Sequence, residues 1–272
     1  MIVPLLLGLP VVLLFTYWGF NLTDIAYSKI YGKPMIVHDH LYLKNLNTDD
    51  IRIIARYSSF YNKLGAYKKR IFKHRVLMFI NDKQFIGLDG FEVTRDAKVL
   101  IASVAVMLSF GMRNYLIESV NKIIIYPSPY FSSINRKYHL GEFNPLLKTI
   151  VFSWSDFLAG FQHNKSNINL GVHEFAHAIY FGSLHYSDSS SVLFFNGIKK
   201  IDALLHTETY IDKLSETNYL RKYAYTNKFE FFAVCLEHFI ESPLQFQEQA
   251  PELFGIIKQM MNFEVVDVSN VA

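Results

Sequence analysis

The chain has 272 residues, half of them hydrophobic, a formal net charge of +3 and one cysteine. That length gives one large domain or two small ones, with enough apolar side chains for a sizeable core. The near balance of charge, with no single-sign tract, gives no footprint for nucleic acid, and a lone Cys235 excludes an internal disulfide and a cysteine-based zinc site.

In chain order, Met1 to Phe20 carries no charged side chain, and the first charge is Asp24. A helix needs about 20 apolar residues to cross a bilayer. Residues 1–22 are therefore expected to be a single transmembrane anchor, with Tyr17 and Trp18 at one interface. A cleaved signal peptide is disfavoured, because no Lys or Arg precedes the run and no A-x-A site follows it. Lys29, Lys33, Lys44, Arg52 and Arg56 all follow it. The positive-inside rule then predicts a single-pass membrane protein whose catalytic domain is cytoplasmic. Residues 23–46 read as a tether. Within it, His38-Asp39-His40 puts two histidines on one side of an extended segment; a second metal site is the alternative to a solvated linker there.

A domain is expected over 47–262, with a patternless tail at 263–272. Ile51, Ile54, Ala55, Phe60 and Leu64 recur at helical spacing after caps at Thr48-Asp49-Asp50. A second helix is predicted from Ala66 to Phe79, its Lys68-Lys69-Arg70 and Lys73-His74-Arg75 forming a solvated face. Phe85-Ile86-Gly87 reads as a short strand. Thr94-Arg95-Asp96 caps a helix whose Val99–Phe110 run is apolar but too short for a bilayer, hence a central core helix. Lys122–Tyr126 and Thr149–Trp154 have the β-branched and aromatic content of strands, with a long connection over 130–147. The second strand leads through a short loop at 161–164 toward a helix beginning near Leu170. Its open edge could pair with an extended peptide, unless it is a plain core strand. Ser183 to Ser191 reads as a loop, and further helices are predicted over 196–214, 227–241 and 251–261.

The chemistry lies in His173-Glu174-Phe175-Ala176-His177. On a helix, residues i and i+4 leave one face a turn apart, so both imidazoles can reach one zinc ion. Glu174 follows the first of them, where its carboxylate can act on water instead of binding metal. Leu170, Val172, Phe175, Ala176 and Ile179 surround the motif with apolar side chains. Burying His, Glu and His among them is costly unless they share a partner such as a metal.

A catalytic zinc needs a third protein ligand. Tyr180 and Ser183 stand where a metzincin would have Gly and His, and residues 196–203 contain no Glu for a thermolysin-like pattern. The best remaining carboxylate is Glu230, set among Phe229, Phe231, Phe232 and Val234. Asn227 three residues earlier allows a different reading, a capping box in which Glu230 bonds backbone. Glu237, two turns on, is the fallback ligand or a group orienting a histidine, and Glu208 is a weaker contender.

Ile150-Val151-Phe152-Ser153-Trp154, Asn169 to His177, and Tyr223 to Val234 followed by Glu237 together resemble the MtfA-type zinc peptidases. The catalytic core of that family is similar to that of anthrax lethal factor. The resemblance covers about residues 50–260. It implies Glu230 as third ligand and Tyr223 as an electrophilic helper. The departure is the N-terminal apolar run, since the family members are soluble. The expected architecture is α+β: a mostly helical zincin-like metallopeptidase domain with a small sheet beside the H-E-x-x-H helix, behind one transmembrane helix.

The expected function is peptide-bond hydrolysis. One zinc ion is held by His173, His177 and Glu230, Glu174 is the general base and Tyr223 steadies the oxyanion. The expected partners are a peptide or protein substrate, the membrane and a regulatory protein, with no nucleic acid. The alternative is a membrane-tethered zincin-fold module that binds a regulatory protein with little or no peptidase activity.

Overall fold

The computed structural model describes residues 3–38, 40, 42–132, 136–162, 166–185 and 188–263. Residues 1 and 2, the side chains of 3–11 and 13, and the expected tail at 264–272 lie outside the described residues, as does Asp39.

Helices α1 (Val3–Tyr31), α2 (Thr48–Tyr57), α3 (Ser59–Lys63) and α4 (Ala66–Asp82) come first, then strand β1 (Gln84–Gly87) and helix α5 (Arg95–Leu108). Strands β2 (Lys122–Tyr126), β3 (Tyr130–Ser132), β4 (Lys137–His139), β5 (Gly141–Asn144) and β6 (Thr149–Ser153) follow. Helices α6 (Trp154–Gln162), α7 (Leu170–Ser183), α8 (Ser189–Leu205) and α9 (Glu208–Glu216) lead to a 3-10 turn over Lys222–Thr226. Helices α10 (Lys228–Glu241), α11 (Pro243–Gln249) and α12 (Pro251–Met260) complete the described fold.

The main sheet has the order β1-β2-β6-β5. Its first three strands are parallel, and β5 runs antiparallel along the outer side of β6. Ile123 and Ile125 of β2 and Ile150 and Phe152 of β6 are fully buried. Burying each such side chain contributes about 1.5–3 kcal/mol, which is why the paired β-branched runs form the centre of the sheet. Helix α5 packs against α4, α2 and α7, and α7 in turn packs against β5, β6 and α10. The core helix expected from Val99 onward is buried as anticipated, and the Thr94 side chain accepts from Ala97 N (3.2 Å) at its start.

Several elements escaped the sequence pattern. The 130–147 connection contains the β3–β4 hairpin and β5. Thr149–Ser153 is consequently an inner strand, and the free edge beside α7 belongs to β5. Trp154 begins a helix instead of ending a strand, and Asp188 caps α8 inside the expected serine loop, its side chain accepting from Ser191 N (2.8 Å). The expected helix over 196–214 is two helices, divided at His206-Thr207.

The expected membrane anchor is not supported. No helix of the described residues is long and apolar enough to cross a membrane. Helix α1 is long, but along its described side chains it carries Asp24 and Lys29, and its later turns are docked on protein. Asp24 and Ser28 are fully buried. The Asp24 carboxylate accepts from Arg113 Nη1 (2.8 Å), Ser189 Oγ (2.5 Å) and Met35 N (2.7 Å). A carboxylate taken out of water belongs with such donors, not in lipid. The single-pass topology, the membrane as a partner and the cytoplasmic placement argued from them fall with the span.

The expected tether lies against the domain as well. Against the expected solvated face, His74 and Arg75 on α4 are buried, and Arg75 donates to Val37 O (2.9 Å), to His40 Nε2 (3.3 Å) and to the carbonyls of Phe110 (3.1 Å) and Met112 (3.0 Å). The His40 nitrogen facing that guanidinium is thereby committed to a hydrogen bond, which removes it from any metal site at His38–His40. Cys235 is fully buried on α10, and burial pushes its thiol up.

Candidate metal centre

The site is made where α7 and α10 pack together. Asn169 caps α7, its side-chain oxygen accepting from Val172 N (3.1 Å), while its amide donates to Glu241 Oε1 (3.1 Å). Asn227 caps α10 by accepting from Phe229 N (2.9 Å) and Glu230 N (3.0 Å). Half of the capping box weighed as the alternative reading at Asn227 thus forms. The Glu230 carboxylate turns to the imidazoles of α7: Oε2 lies 3.0 Å from His173 Nε2 and 3.5 Å from His177 Nε2, and the two ring nitrogens are 3.1 Å apart.

His173, His177 and Glu230 form the one group of three such ligands among the described residues that could hold a metal ion. Bonds of about 2.0–2.1 Å in a tetrahedron separate ligand atoms by about 3.3 Å, which matches this triangle. The Glu230 Oε2 atom is buried without a well-formed hydrogen bond although it lies close to both rings. Two ring nitrogens and an orphaned carboxylate oxygen converging on one point is what a shared cation requires, so the donor set fits a metal.

Glu237 does not join the three. Its Oε1 accepts from His173 Nδ1 (2.6 Å), the other side of that ring, which leaves the Nε2 lone pair for the cluster. Arg221 grips the same carboxylate at both oxygens, through Nη1 to Oε2 and Nη2 to Oε1 (3.0 Å), and donates to Asn167 O (2.8 Å). Burial alone would push the His173 imidazole down. The Glu230 and Glu237 carboxylates beside it outweigh burial and raise the ring to about 10. Burial would likewise raise the Glu230 carboxyl, but the two histidines hold it well below the usual carboxylate range. Both shifts express a pocket built around positive charge.

Glu174 is buried with Oε2 unpartnered, and desolvation raises its carboxyl. It faces β5 so closely that a methyl group at Gly141 would lie 2.9 Å from Glu174 Oε1 and 2.7 Å from Leu170 Cδ1. Tyr223, on the 3-10 turn, is half exposed with its ring centroid 6.1 Å from that of His173. Burial and then the Glu230 charge raise its phenol to about 12, so it stays a neutral donor. The Glu208 side chain lies outside the described residues. A cleft of about 490 Å³ opens beside His173, lined by His139, Gly141, Leu170, His173, Glu174 and Tyr223 among others.

Sequence reading did not find Arg221 or Gly141. Arg221 stands two residues before Tyr223 but belongs to no motif pattern, and Gly141 is one glycine in a stretch read as loop.

The helix, the edge strand and the His-His-Glu cluster together define a metallopeptidase-like domain. Residues 37–262 match the family described as glucose-regulated metallo-peptidase M90, and the chain belongs to that family. It is 23% identical over 216 residues to the uncharacterized protein slr2042 of Synechocystis sp., covering 74% of this chain and 78% of that one. It is 23% identical over 197 residues to the Mlc titration factor A of Salmonella agona, covering 65% and 72%. The same protein from Salmonella paratyphi B matches to the same extent.

Proposed function

We propose that the protein is a zinc-dependent peptidase. The observation that carries this reading is the triangle of His173 Nε2, His177 Nε2 and Glu230 Oε2, with an unpartnered Glu174 carboxylate that shares a cleft with His173. Two imidazoles and one carboxylate suit zinc and leave a fourth position open. A zinc ion held there supplies Lewis acidity to a scissile carbonyl and to water.

The rest is the work of side chains. Glu174 Oε2 takes the proton of the attacking water and passes it to the leaving amine nitrogen. Its raised proton affinity, a product of burial, suits a group that must accept and then release a proton. Tyr223 donates its hydroxyl hydrogen to the carbonyl oxygen as that oxygen gains charge. Glu237, with Arg221 behind it, keeps the His173 ring turned toward the ion. Strand β5, the edge nearest Glu174, offers its backbone to an extended peptide.

The test is chelator-sensitive cleavage of short peptides by the zinc-loaded chain, against Glu174→Gln. The variant should keep zinc and lose about 10²–10⁴-fold in turnover. Cleavage at the wild-type rate by the variant removes Glu174 from the chemistry.

A second reading is favoured by one observation, the name of the Salmonella relatives, which describes titration of Mlc. On that reading the domain binds a regulatory protein and cleaves little. Glu174→Gln separates the two, because binding of such a partner survives it.

A further inference from the structure

We propose that His139 is a substrate-contacting residue, holding a bound peptide's backbone from the strand side of the cleft. This rests on the reading of the cleft as a peptide site.

Buried polar side-chain atoms normally have partners, and each orphan needs a reason. Glu174 Oε2, Glu230 Oε2, His139 Nε2 and Tyr130 Oη have none in well-formed geometry. A cation held by the cluster would account for the shortage at Glu230, and a water beside it for that at Glu174. Neither accounts for His139, which lines the same cleft as His173 and Glu174.

The local structure holds His139 in place. It pairs with Tyr130 across the β3–β4 hairpin. The Tyr130 ring stacks on Tyr126 at 4.5 Å and lies against the His139 ring at 6.2 Å, with interplanar angles of 13° and 29°. Tyr130 is itself buried, its hydroxyl facing Glu142 without a well-formed hydrogen bond. Two residues beyond His139, Gly141 abuts Glu174, and Leu140 O accepts from Ser153 N (2.7 Å), which fixes the hairpin to β6. A stacked imidazole two residues upstream of the contact with the general base has the position to bind a peptide carbonyl, and its unpartnered Nε2 donates to one in the Nε2–H tautomer. Tyr223 comes from the turn before α10, so the two donors belong to different walls. Exposed Tyr138 and Leu140 flank His139, giving that wall an apolar rim beside one polar contact. Tyr130 is then a positioning residue, acting through its ring.

The experiment compares two probes on the zinc-loaded full chain. A blocked phosphinic pseudo-pentapeptide spans both sides of the ion, whereas acetohydroxamate reaches the ion alone. His139→Phe should weaken the first about three- to ten-fold, the loss of one hydrogen bond, and leave the second unchanged. His139→Gln, which restores an N–H, should recover most of it. Tyr130→Phe keeps the stack and should bind as wild type; Tyr130→Leu should resemble His139→Phe. Zinc content and thermal unfolding are measured for each variant.

Unchanged pseudo-peptide affinity in His139→Phe overturns the proposal. So does an equal loss for both probes, which would place the effect at the metal, or a wild-type chain that does not favour the longer probe. If the pseudo-peptide discriminates as expected while no peptide is cleaved, the contact stands and the peptidase reading falls.

Discussion

The two walls of the cleft are built on opposite principles. On the helical wall, His173 is held at Nδ1 by Glu237, Glu237 by Arg221, and Arg221 by Asn167 O, so each group fixes the next. On the strand wall, His139 and Tyr130 keep polar atoms without well-formed partners inside the protein, and Tyr138 and Leu140 stand exposed. The helical wall braces its imidazole through a chain of hydrogen bonds and leaves only the Glu174 and Glu230 oxygens that face the cluster unpartnered; the strand wall has no such chain behind His139 among the described residues. The contrast teaches that bracing is concentrated on the helical side, so changes on the two sides should fail differently.

The largest effect is expected from Glu230→Ala. Removing one of three ligands should abolish stoichiometric zinc in dialysed protein, measured by metal analysis. Retention of zinc would move the third ligand elsewhere. Tyr223→Phe should next cost about 2–4 kcal/mol in kcat, with zinc kept. Unchanged turnover would make the hydroxyl structural.

Glu237→Gln should weaken zinc by about 10–100-fold, while the loaded variant turns over nearly normally. Gly141→Ala should do the reverse. Its methyl group meets Glu174 at 2.9 Å, so turnover should fall with zinc affinity intact. If Gly141→Ala loses metal or Glu237→Gln loses turnover alone, the division between the walls is wrong.

The smallest effect concerns acid. Burial pushes His238, behind Glu237 on α10, down to about 4. The folded chain leaves it neutral until about that pH, while the unfolded chain protonates it below its ordinary value of 6.5. For this group alone, stability should therefore be level above 6.5 and fall as the pH drops from 6.5 to 4. Denaturant titrations of His238→Gln should show a shallower slope in that window.

How much of this could be read beforehand follows the same division. The helical wall was legible because i, i+4 spacing, a cap at Asn227 and apolar neighbours of Glu230 are local signals. Even so, whether Glu230 or Glu237 met the cluster turned on which side of the His173 ring each reached, a tertiary fact. The strand wall was illegible. Strands of three or four residues, such as Lys137–His139 and Gly141–Asn144, are too short to show alternation, and their pairing is decided by β6. The N-terminal run misled because composition measures apolarity without its setting. Asp24 reads as a boundary in sequence, but it is buried against Arg113 and Ser189, 89 and 165 residues away along the chain.

Cys235, buried on α10 between Glu230 and Glu237, turns this helix into its own reporter. A thiol reagent can reach the sulfur only when α10 lifts away, so the pace of labelling counts those excursions. Zinc, by tying Glu230 to α7, should slow the clock.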